Sequence, residues 1–449
     1  MKQRRWRAMW EDWRARLWPL PALGVAIAVG LGVLLPRVDV AVAAHLPPAL
    51  AGHLFSGGPE AARTVLSAIA GSLITVTALT FSLTVVTLQL AASQFSPRLL
   101  RTFTRDPAVQ VTLALLIGTF TYAVMVLRTV RSDTQTQAAF VPQLSVTLAF
   151  VLGLIAFVTL IAFLAHLVRQ IRIELLLQRV TTETTATAHR LLKDRRPDRP
   201  PPAAAPGATP VPACGTGFLV AVDDTALLKA AVDAAAVISL DRHVGDWLIK
   251  GTPIAHAWPV APVAAADPAA TGDDLAAAID EALTIGPERT AAQDIAFGLR
   301  QLTDVAVKAL SPGINDPTTA VHALDHSSAL LCDLARRRPN PRVLHDDQQR
   351  LRAVIGEPGL PELLDLAIGQ PRRYGAAEPD IQARLLTLLR EVAWCTTDPR
   401  LHDAIRTQLD HINTTISAQQ HYTATDHARL GNLCADVRAA LAGRWPPEP

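Results

Sequence analysis

Four long stretches without a charged side chain lie within the first 169 residues of this 449-residue chain. A helix rises about 1.5 Å per residue, so about twenty residues cross the roughly 30 Å hydrocarbon core of a bilayer. Stretches of this length that lack charge are typical of membrane-spanning helices. The sequence therefore predicts four spans, near residues 17–36, 66–92, 108–127 and 142–165.

The composition supports a membrane protein and excludes one class of partner. Half of the residues are hydrophobic and the mean hydropathy is +0.24, which is more apolar than an ordinary soluble chain of this size. The formal net charge is only +2, so no overall positive field favours binding to nucleic acid. We expect the lipid bilayer to surround the protein, and we expect no nucleic acid as a partner.

The four cysteines lie far apart in the sequence, at positions 214, 332, 395 and 434. None belongs to a C-x-x-C pair, which disfavours a zinc ribbon or a dithiol redox motif. The spacing predicts isolated thiols in a reducing compartment.

The basic residues predict the orientation of the spans. They are concentrated before the first span, in the loop after the second span around Arg101, and after the fourth span from Arg169 onward. The positive-inside rule then places both termini in the cytoplasm. A cleaved signal peptide is the alternative for the first span, because Ala41-Val42-Ala43 resembles a cleavage site. The uncharged run is longer than a signal core, which favours a retained span.

Charges and prolines become frequent after the fourth span. Seven prolines fall between Pro197 and Pro212, a composition that behaves as an extended tether. Short apolar runs typical of strands follow, and helical periodicity then resumes. The predicted divisions are a four-span transmembrane domain at 1–168, a helical extension at 169–195, a Pro-rich linker at 196–213, a small β-rich module at 214–262 and a helical cytoplasmic domain at 273–445.

The predicted fold class is therefore a membrane α-helical region of four transmembrane helices plus a cytoplasmic α+β region. Within the β-rich module, residues 244–254 resemble the hairpin of lipoyl-like barrels, and we interpret them as a structural hairpin without cofactor attachment. Thr290, with Gln293 three residues later, has the form of a capping box that opens a helix.

One motif is specific enough to identify a family. Residues 311–317 read S-P-G-I-N-D-P, and residues 94–100, after the second span, read Q-F-S-P-R-L-L. With these motifs the chain resembles a family of bacterial predicted inner-membrane proteins classed as a domain of unknown function. The resemblance covers nearly the whole chain. It implies an amino-terminal membrane region in the bacterial inner membrane and a carboxy-terminal soluble region, and it supplies no activity or catalytic residues.

The S-P-G-I-N-D-P motif also has a physical interpretation as a tight corner between two helices. Pro312 ends the first helix, and Gly313 permits a positive φ. Asn315 or Asp316 can cap the second helix, and Pro317 suits its first turn.

A functional interpretation of the same region remains open beside the structural one. Polar groups near both ends of the helix before the corner are candidates for contact with a ligand or a neighbouring subunit: Glu288, Arg289, Asp294, Asn315 and Asp316. The ligand would be a small molecule or an ion, and the sequence gives no identity for it.

No motif in the sequence proposes an enzyme. His322 and His326 stand one helical turn apart, but two histidines without a third ligand in register are a weak metal signal. The chain carries no G-x-S-x-G, phosphate-binding loop or dinucleotide fingerprint. We predict no catalytic residues, no bound metal and no cofactor.

The second span carries many hydroxyl side chains. Thr77, Thr80, Thr84 and Thr87 form one line at helical spacing, and Thr75, Ser82, Gln89 and Ser93 form another line on a different side. Hydroxyls in membrane helices often bond to the carbonyl one turn back or to a neighbouring helix, so packing is one interpretation. The alternative is that Thr77, Thr80, Thr84 and Thr87 line a water-filled path.

Two function classes follow from these observations. The first is a homo-oligomeric channel or solute conduit with a cytoplasmic regulatory domain, since four spans are too few to enclose a path alone. The second is a non-conducting membrane-anchored scaffold or envelope sensor, whose soluble half binds a partner.

Overall fold

A computed structural model describes residues 18–42, 54–94, 106–133, 139–170, 172–192, 207–260, 272–337 and 339–445. The chain divides into two compact units, residues 1–172 and 173–449. Four helices of the first unit are long and apolar enough to cross a membrane, which confirms the four predicted spans. They are α1 Pro19–Val42, α2 Pro59–Gln94, α3 Pro107–Leu127 and α4 Gln143–Gln170. The basic segments that predict orientation, before the first span and around Arg101, lie outside the described residues.

Helix α3 is the centre of the membrane unit. It contacts α1, α2 and α4, and half of its span is buried against 17% for each of the other three. Glycines in α1 allow a close approach, because a Cβ added at Gly24 would lie 2.7 Å from the carbonyl oxygen of Ala114. A Cβ at Gly32 would lie 2.6 Å from the Cβ of Met125. Small residues thus pack α1 against α3, as in many membrane helix pairs.

Carboxylates at the helix ends satisfy backbone groups that helices leave open. Asp39 in the last turn of α1 is buried, and its oxygens accept from the amides of Leu144 and Ser145 at 2.8 and 3.0 Å. The same carboxylate accepts from the Ser145 hydroxyl at 2.6 Å. Asp106 caps α3 through the amide of Ala108 at 2.8 Å and lies 2.7 Å from the Nε2 of His166. These contacts join α1 to α4 at one end of the unit and α3 to α4 at the other.

The second unit contains two small sheets and a set of helices. One sheet has the order β1-β5-β3-β8-β7 and the other has the order β4-β2-β6. All described strand pairs are antiparallel except β3 with β8, which is parallel. The strands are β1 Thr209–Pro212, β2 Gly217–Val222, β3 Ala236–Leu240, β4 Trp247–Leu248, β5 Pro253–Pro259, β6 Leu283–Gly286, β7 Arg342–His345 and β8 Leu351–Ile355.

Nine helices complete the described part of the second unit. They are α5 Ile173–Leu192, α6 Asp224–Asp233, α7 Gly272–Ala282, α8 Ile295–Ala309, α9 Pro317–Arg337, α10 Leu360–Tyr374, α11 Pro379–Cys395, α12 Pro399–Ala418 and α13 Ala424–Leu441. Strands at the amino-terminal side and helices at the carboxy-terminal side agree with the predicted α+β class.

Three details of the predicted soluble region are wrong. Strand β1 lies inside the range 196–213 that was expected to be linker, and the range 273–445 contains β6, β7 and β8 as well as helices. Strand β4 pairs with β2, whereas β5 pairs with β1 and β3, so residues 244–254 do not form a hairpin. These strands have two to seven residues, and partners distant in sequence decide their pairing.

Helix α5 belongs to the second unit and is not a free extension of the fourth span. Its buried stripe packs against α8 and α9. At the closest point, a Cβ added at Gly298 of α8 would lie 1.7 Å from the Oγ1 of Thr184. The two units therefore divide at Arg172, before the proline-rich segment that composition marks as a boundary.

Candidate functional site

The first predicted line of hydroxyls lies on the packed face of α2. Thr80 is only 1% exposed, and Thr77, Thr84 and Thr87 are half-buried. Each of these four hydroxyls donates to the carbonyl one turn back in its own helix, at 2.6 to 2.8 Å. In a single chain this line contacts other helices and does not face an open path. In the single chain this geometry matches the packing interpretation, and a pore-lining role for these residues in an assembly stays a prediction.

The opposite face of α2 carries a second set of small and polar side chains. Gly71, Thr75, Ala78, Ser82 and Gln89 are all exposed in the single chain. At 100° per residue they lie about 180° around the helix from Thr84 and its neighbours. We call them the exposed stripe. Their spacing of three, four and seven residues is the 3.5-residue period of helices that pack at a shallow left-handed angle.

A cavity of about 290 Å³ lies among α2, α3 and α4 of the membrane unit. Ser72 is the polar member of its lining, and the other lining residues, such as Leu73, Leu116 and Phe157, are apolar or glycine. A pore that carries ions needs polar or charged groups along its wall. This cavity is therefore suited to an apolar group such as a lipid chain.

In the second unit, Arg289 and Asp294 form a buried ion pair. The Nε and Nη2 of Arg289 donate to the two carboxylate oxygens of Asp294 at 2.8 and 3.0 Å. Burial raises the pKa of Asp294 to about 6, although the Arg289 charge opposes this shift. Gly245, at φ +101°, is the turn that covers the pair, because a Cβ there would lie 2.3 Å from an Asp294 oxygen. Glu288 lies in the same loop and is exposed.

Asp294, and not Thr290, begins the helix that follows. One oxygen of Asp294 accepts from the amide of Phe297 at 2.9 Å, and α8 starts at Ile295. The predicted capping box is therefore wrong. Gln293 has a different role, since its amide group bonds both the N–H and the carbonyl of Val222 at 3.0 and 3.2 Å.

The predicted corner between α8 and α9 is present, with one correction. Asp316 caps α9 by accepting from the amide and the hydroxyl of Thr319 at 3.0 and 2.6 Å. These hydrogen bonds lower the pKa of Asp316. The residue with positive φ is Asn315, at 47°, and Gly313 does not adopt that conformation. Asn can adopt the left-handed region because its side chain makes local hydrogen bonds.

The structure does not bring the five candidate polar residues together. Asp294 lies at the start of α8, and Asn315 and Asp316 follow its end. A helix of 15 residues is about 22 Å long. Glu288, Arg289 and Asp294 therefore form one group, and Asn315 and Asp316 form another. Contact of either group with a ligand or a subunit remains a prediction.

The predicted histidine pair is placed without a third metal ligand nearby. Among the described residues no group of three His, Cys, Asp or Glu side chains is suited to hold a metal ion. His326 contacts α5 instead, with its Nδ1 2.9 Å from the Oγ1 of Thr181.

Sequence reasoning missed a pair of thiols. Cys332 of α9 and Cys395 at the end of α11 are free thiols on helices that pack together, and Cys395 is close enough to act on the pKa of Cys332, so these two are neighbours and not isolated. Sixty-three positions separate them, and only the packing of α9 against α11 joins them. No local motif in the sequence could indicate this contact.

Comparison with known proteins gives a family and relatives without a described activity. The family model described as predicted membrane protein (DUF2254) matches residues 14–391. Similar proteins include the uncharacterized protein Mb1321c of Mycobacterium bovis and the uncharacterized protein Rv1290c of Mycobacterium tuberculosis. Each is 36% identical over 440 residues, which covers 96% of this chain and 82% of the relative. No solved structure matches the chain.

Proposed function

Because the chain belongs to the DUF2254 family of predicted membrane proteins, we propose that it is a homo-oligomeric channel or solute conduit of the bacterial inner membrane. In this proposal both termini are cytoplasmic, the second unit regulates the conduit, and the protein is not an enzyme. The observation that carries the proposal is the exposed stripe of α2, which presents polar groups where a lone chain would meet lipid.

The exposed stripe differs from the surfaces that surround it. The side chains that flank it on α2 include Ile74, Leu79 and Phe81, which are 49%, 60% and 56% exposed and suit lipid. An amide such as that of Gln89 forms no hydrogen bond with hydrocarbon, and it is stabilised by water or by another polar group. Association of several copies through α2 would supply either environment.

The number of spans supports assembly. Three helices pack around α3 in one chain, and the cavity near Ser72 is apolar. A path for ions or polar solutes therefore has to lie between copies. The exposed stripe is the part of α2 that we expect to line it, in place of Thr77, Thr80, Thr84 and Thr87.

The test is cysteine scanning of α2 in the full-length chain. All four native cysteines lie in the second unit and can be replaced by serine. Thr75→Cys and Ser82→Cys test the exposed stripe, Thr80→Cys tests the packed face, and Leu79→Cys is the lipid-facing control. Each protein is reconstituted in liposomes, and K⁺, Cl⁻ and glycerol fluxes are measured before and after a membrane-impermeant thiosulfonate.

We expect the reagent to label Ser82→Cys and Thr75→Cys and to reduce flux through them, while Leu79→Cys and Thr80→Cys remain unlabelled. If Ser82→Cys forms a disulfide between copies but neither reacts with the reagent nor conducts, the stripe is a dry interface. That result would replace the conduit with the scaffold or sensor. Labelling of Thr80→Cys alone would indicate that the path lies along the packed face of α2.

A further inference from the structure

Cys332 and Cys395 lie together in the groove between α9 and α11. Both side chains are half-buried, and Cys395 is among the groups that act on the pKa of Cys332, so the two thiols are neighbours. Arg336, one turn after Cys332 on α9, places its Nη2 3.4 Å from the sulfur of Cys395. Two thiols in contact, with a positive charge beside one of them, are the arrangement of oxidation-sensitive cysteines.

Polar contacts along the same groove fix the register that holds the sulfurs together. Ser328, one turn before Cys332, donates to Glu391, which lies one turn before Cys395. Arg384 donates to the same Glu391 carboxylate at 3.1 and 3.2 Å and also to Asp325 on α9. The two helices run parallel in this register. The thiol pair is therefore set by contacts of both helices.

The two thiols have different surroundings. Burial raises the pKa of Cys332 to about 12, and the neighbouring Cys395 adds to this shift. Cys332 therefore retains its proton at neutral pH. The Nη2 of Arg336 donates to the sulfur of Cys395 at 3.4 Å, so its positive charge can stabilise negative charge that develops on that sulfur during a reaction. The geometry distinguishes an attacking sulfur, Cys395, from a protonated second sulfur, Cys332.

We propose that Cys395 and Cys332 form a dithiol that hydroperoxides oxidise to a reversible intramolecular disulfide. The Cys395 thiolate attacks the O–O bond of the peroxide, gains one oxygen as a sulfenic acid, and releases the other as hydroxide that a proton converts to water. The thiol of Cys332 then attacks that sulfur, the S–O bond breaks, and water leaves as the S–S bond forms. In total two thiols and one hydrogen peroxide give one disulfide and two waters.

The other two cysteines provide internal controls. Cys214 is exposed and contacts the carbonyl of Ala276 at 3.9 Å, whereas Cys434 is buried and donates to Asn413 at 2.9 Å. Neither is paired with another thiol in the part of the chain that the structure describes. The proposal predicts that both stay reduced when Cys332 and Cys395 are joined.

The experiment uses the full-length chain in detergent micelles, treated with hydrogen peroxide and digested without reduction. We expect mass spectrometry to find the peptides of Cys332 and Cys395 cross-linked, and dithiothreitol to release them. Cys332→Ser should accumulate sulfenic acid on Cys395, trapped with dimedone, because the second sulfur is missing. Cys395→Ser should leave Cys332 reduced at the same dose. The cross-linked peptide is measured in the wild-type protein, so this part of the test stands even if a variant misfolds.

The role of the positive charge has its own readout. Arg336→Gln should slow oxidation of Cys395 by about threefold or more, because the positive charge that contacts the attacking sulfur is removed. Arg337→Gln is the matched control, since Arg337 pairs with Asp333 and should leave the rate unchanged. The proposal is overturned if Cys332 and Cys395 remain reduced at doses that oxidise glutathione. It is also overturned if the disulfides that form join other cysteines, or if Arg336→Gln reacts at the wild-type rate.

Discussion

Helical hydroxyls of both units donate to the carbonyl one turn back, but the threonines of α2 and some threonines of the second unit differ in the further partners that they reach. In α2 the hydroxyls of Thr77, Thr80 and Thr84 bond only to carbonyls of their own helix. In the second unit, Thr303 bonds the carbonyl of Leu299 in its own helix and also that of Leu366 in α10, at 2.9 and 3.1 Å. Long-range side-chain contacts of the membrane unit are concentrated at the helix ends, as at Asp39.

This difference follows from the two solvents. In lipid, a hydroxyl without a hydrogen-bond partner has a high free energy, because hydrocarbon offers it no partner. A bond to a carbonyl of the same helix forms as soon as the helix forms, so it is favoured. In water the same hydroxyl is solvated until the chain folds, and a distant partner replaces water at little cost. The stability of the first unit should therefore depend on the close approach of helix backbones and on contacts at the helix ends. The stability of the second unit should depend on specific polar pairs in its interior.

The largest effect is expected where backbone approach is closest in the second unit. Gly298→Val would place a side chain inside Thr184, and overpacking of this severity costs about 3 kcal/mol or more. Gly313→Val is the control, because nothing lies within 4 Å of its Cβ position and its φ is not positive. We expect a change of less than about 1 kcal/mol there. Thermal unfolding of the purified chain measures both, and equal losses would show that α5 does not pack as described.

The buried carboxylate of Asp294 and the half-buried carboxylate of Asp316 should respond to pH with opposite signs. The pKa of Asp294 is raised to about 6, so the folded state holds its proton more tightly than the unfolded chain. Its contribution to stability is largest below about pH 4 and is lost as the pH rises through 6, by about 3 kcal/mol. The pKa of Asp316 is lowered, so its contribution is present above about pH 4 and is lost as the pH falls.

The measurement compares the unfolding midpoint of the wild-type chain with those of Asp294→Asn and Asp316→Asn between pH 3.5 and 7. The unfolding midpoint of the wild type, relative to that of Asp294→Asn, should fall as the pH rises. The unfolding midpoint of the wild type, relative to that of Asp316→Asn, should fall as the pH falls. Slopes of the same sign would mean that the Arg289 charge outweighs the burial of Asp294.

End contacts of the membrane unit are tested by Asp39→Ala. This change removes the acceptor for two amides and one hydroxyl at the start of α4, and the loss of such a cap costs about 1 to 2 kcal/mol. Asp133→Ala, at an exposed carboxylate, is the control and should be neutral. Unfolding in mixed detergents reports the difference. If both variants unfold alike, the α1 to α4 contact does not contribute to stability.

The smallest effect is expected for Thr80→Val with Thr84→Val. Both hydroxyls bond within α2, and valine has nearly the same shape, so we expect a loss below about 1 kcal/mol with oligomer size and flux unchanged. Leu116→Ala, at a fully buried position of α3, shows that the assay detects a packing loss of about 2 to 5 kcal/mol. A large loss from the threonine pair would mean that these hydroxyls bond between helices.

The spans could be predicted because hydrocarbon excludes charge, and an uncharged run of sufficient length is visible in the sequence. The exact end of the first span could not, since α1 continues through Arg37 to Val42 while Asp39 bonds the start of α4. That partner lies about a hundred residues away. Composition also could not distinguish the two hydroxyl lines of α2, because only the position of α3 decides which line is packed.

The corner between α8 and α9 shows the same limit on a smaller scale. Asp316 could be predicted as a cap from its place before Pro317, because capping is local. The pairs Arg289 with Asp294 and Gln293 with Val222 depend on the turn at Gly245 and on β2, which the local sequence does not indicate. Short strands such as β6 were missed because four residues carry too little periodicity.

The parallel pairing of β3 with β8 determines how late in synthesis the five-stranded sheet can form. Ile238 pairs with Ala353, so over a hundred residues, including α8 and α9, must leave the ribosome before the five-stranded sheet can close. At about 5 to 20 residues per second this takes roughly 6 to 23 s. During that interval the edge of β3 is open to pairing with other chains. The four membrane helices are complete by then, so they tether nascent chains to the bilayer before the sheet closes.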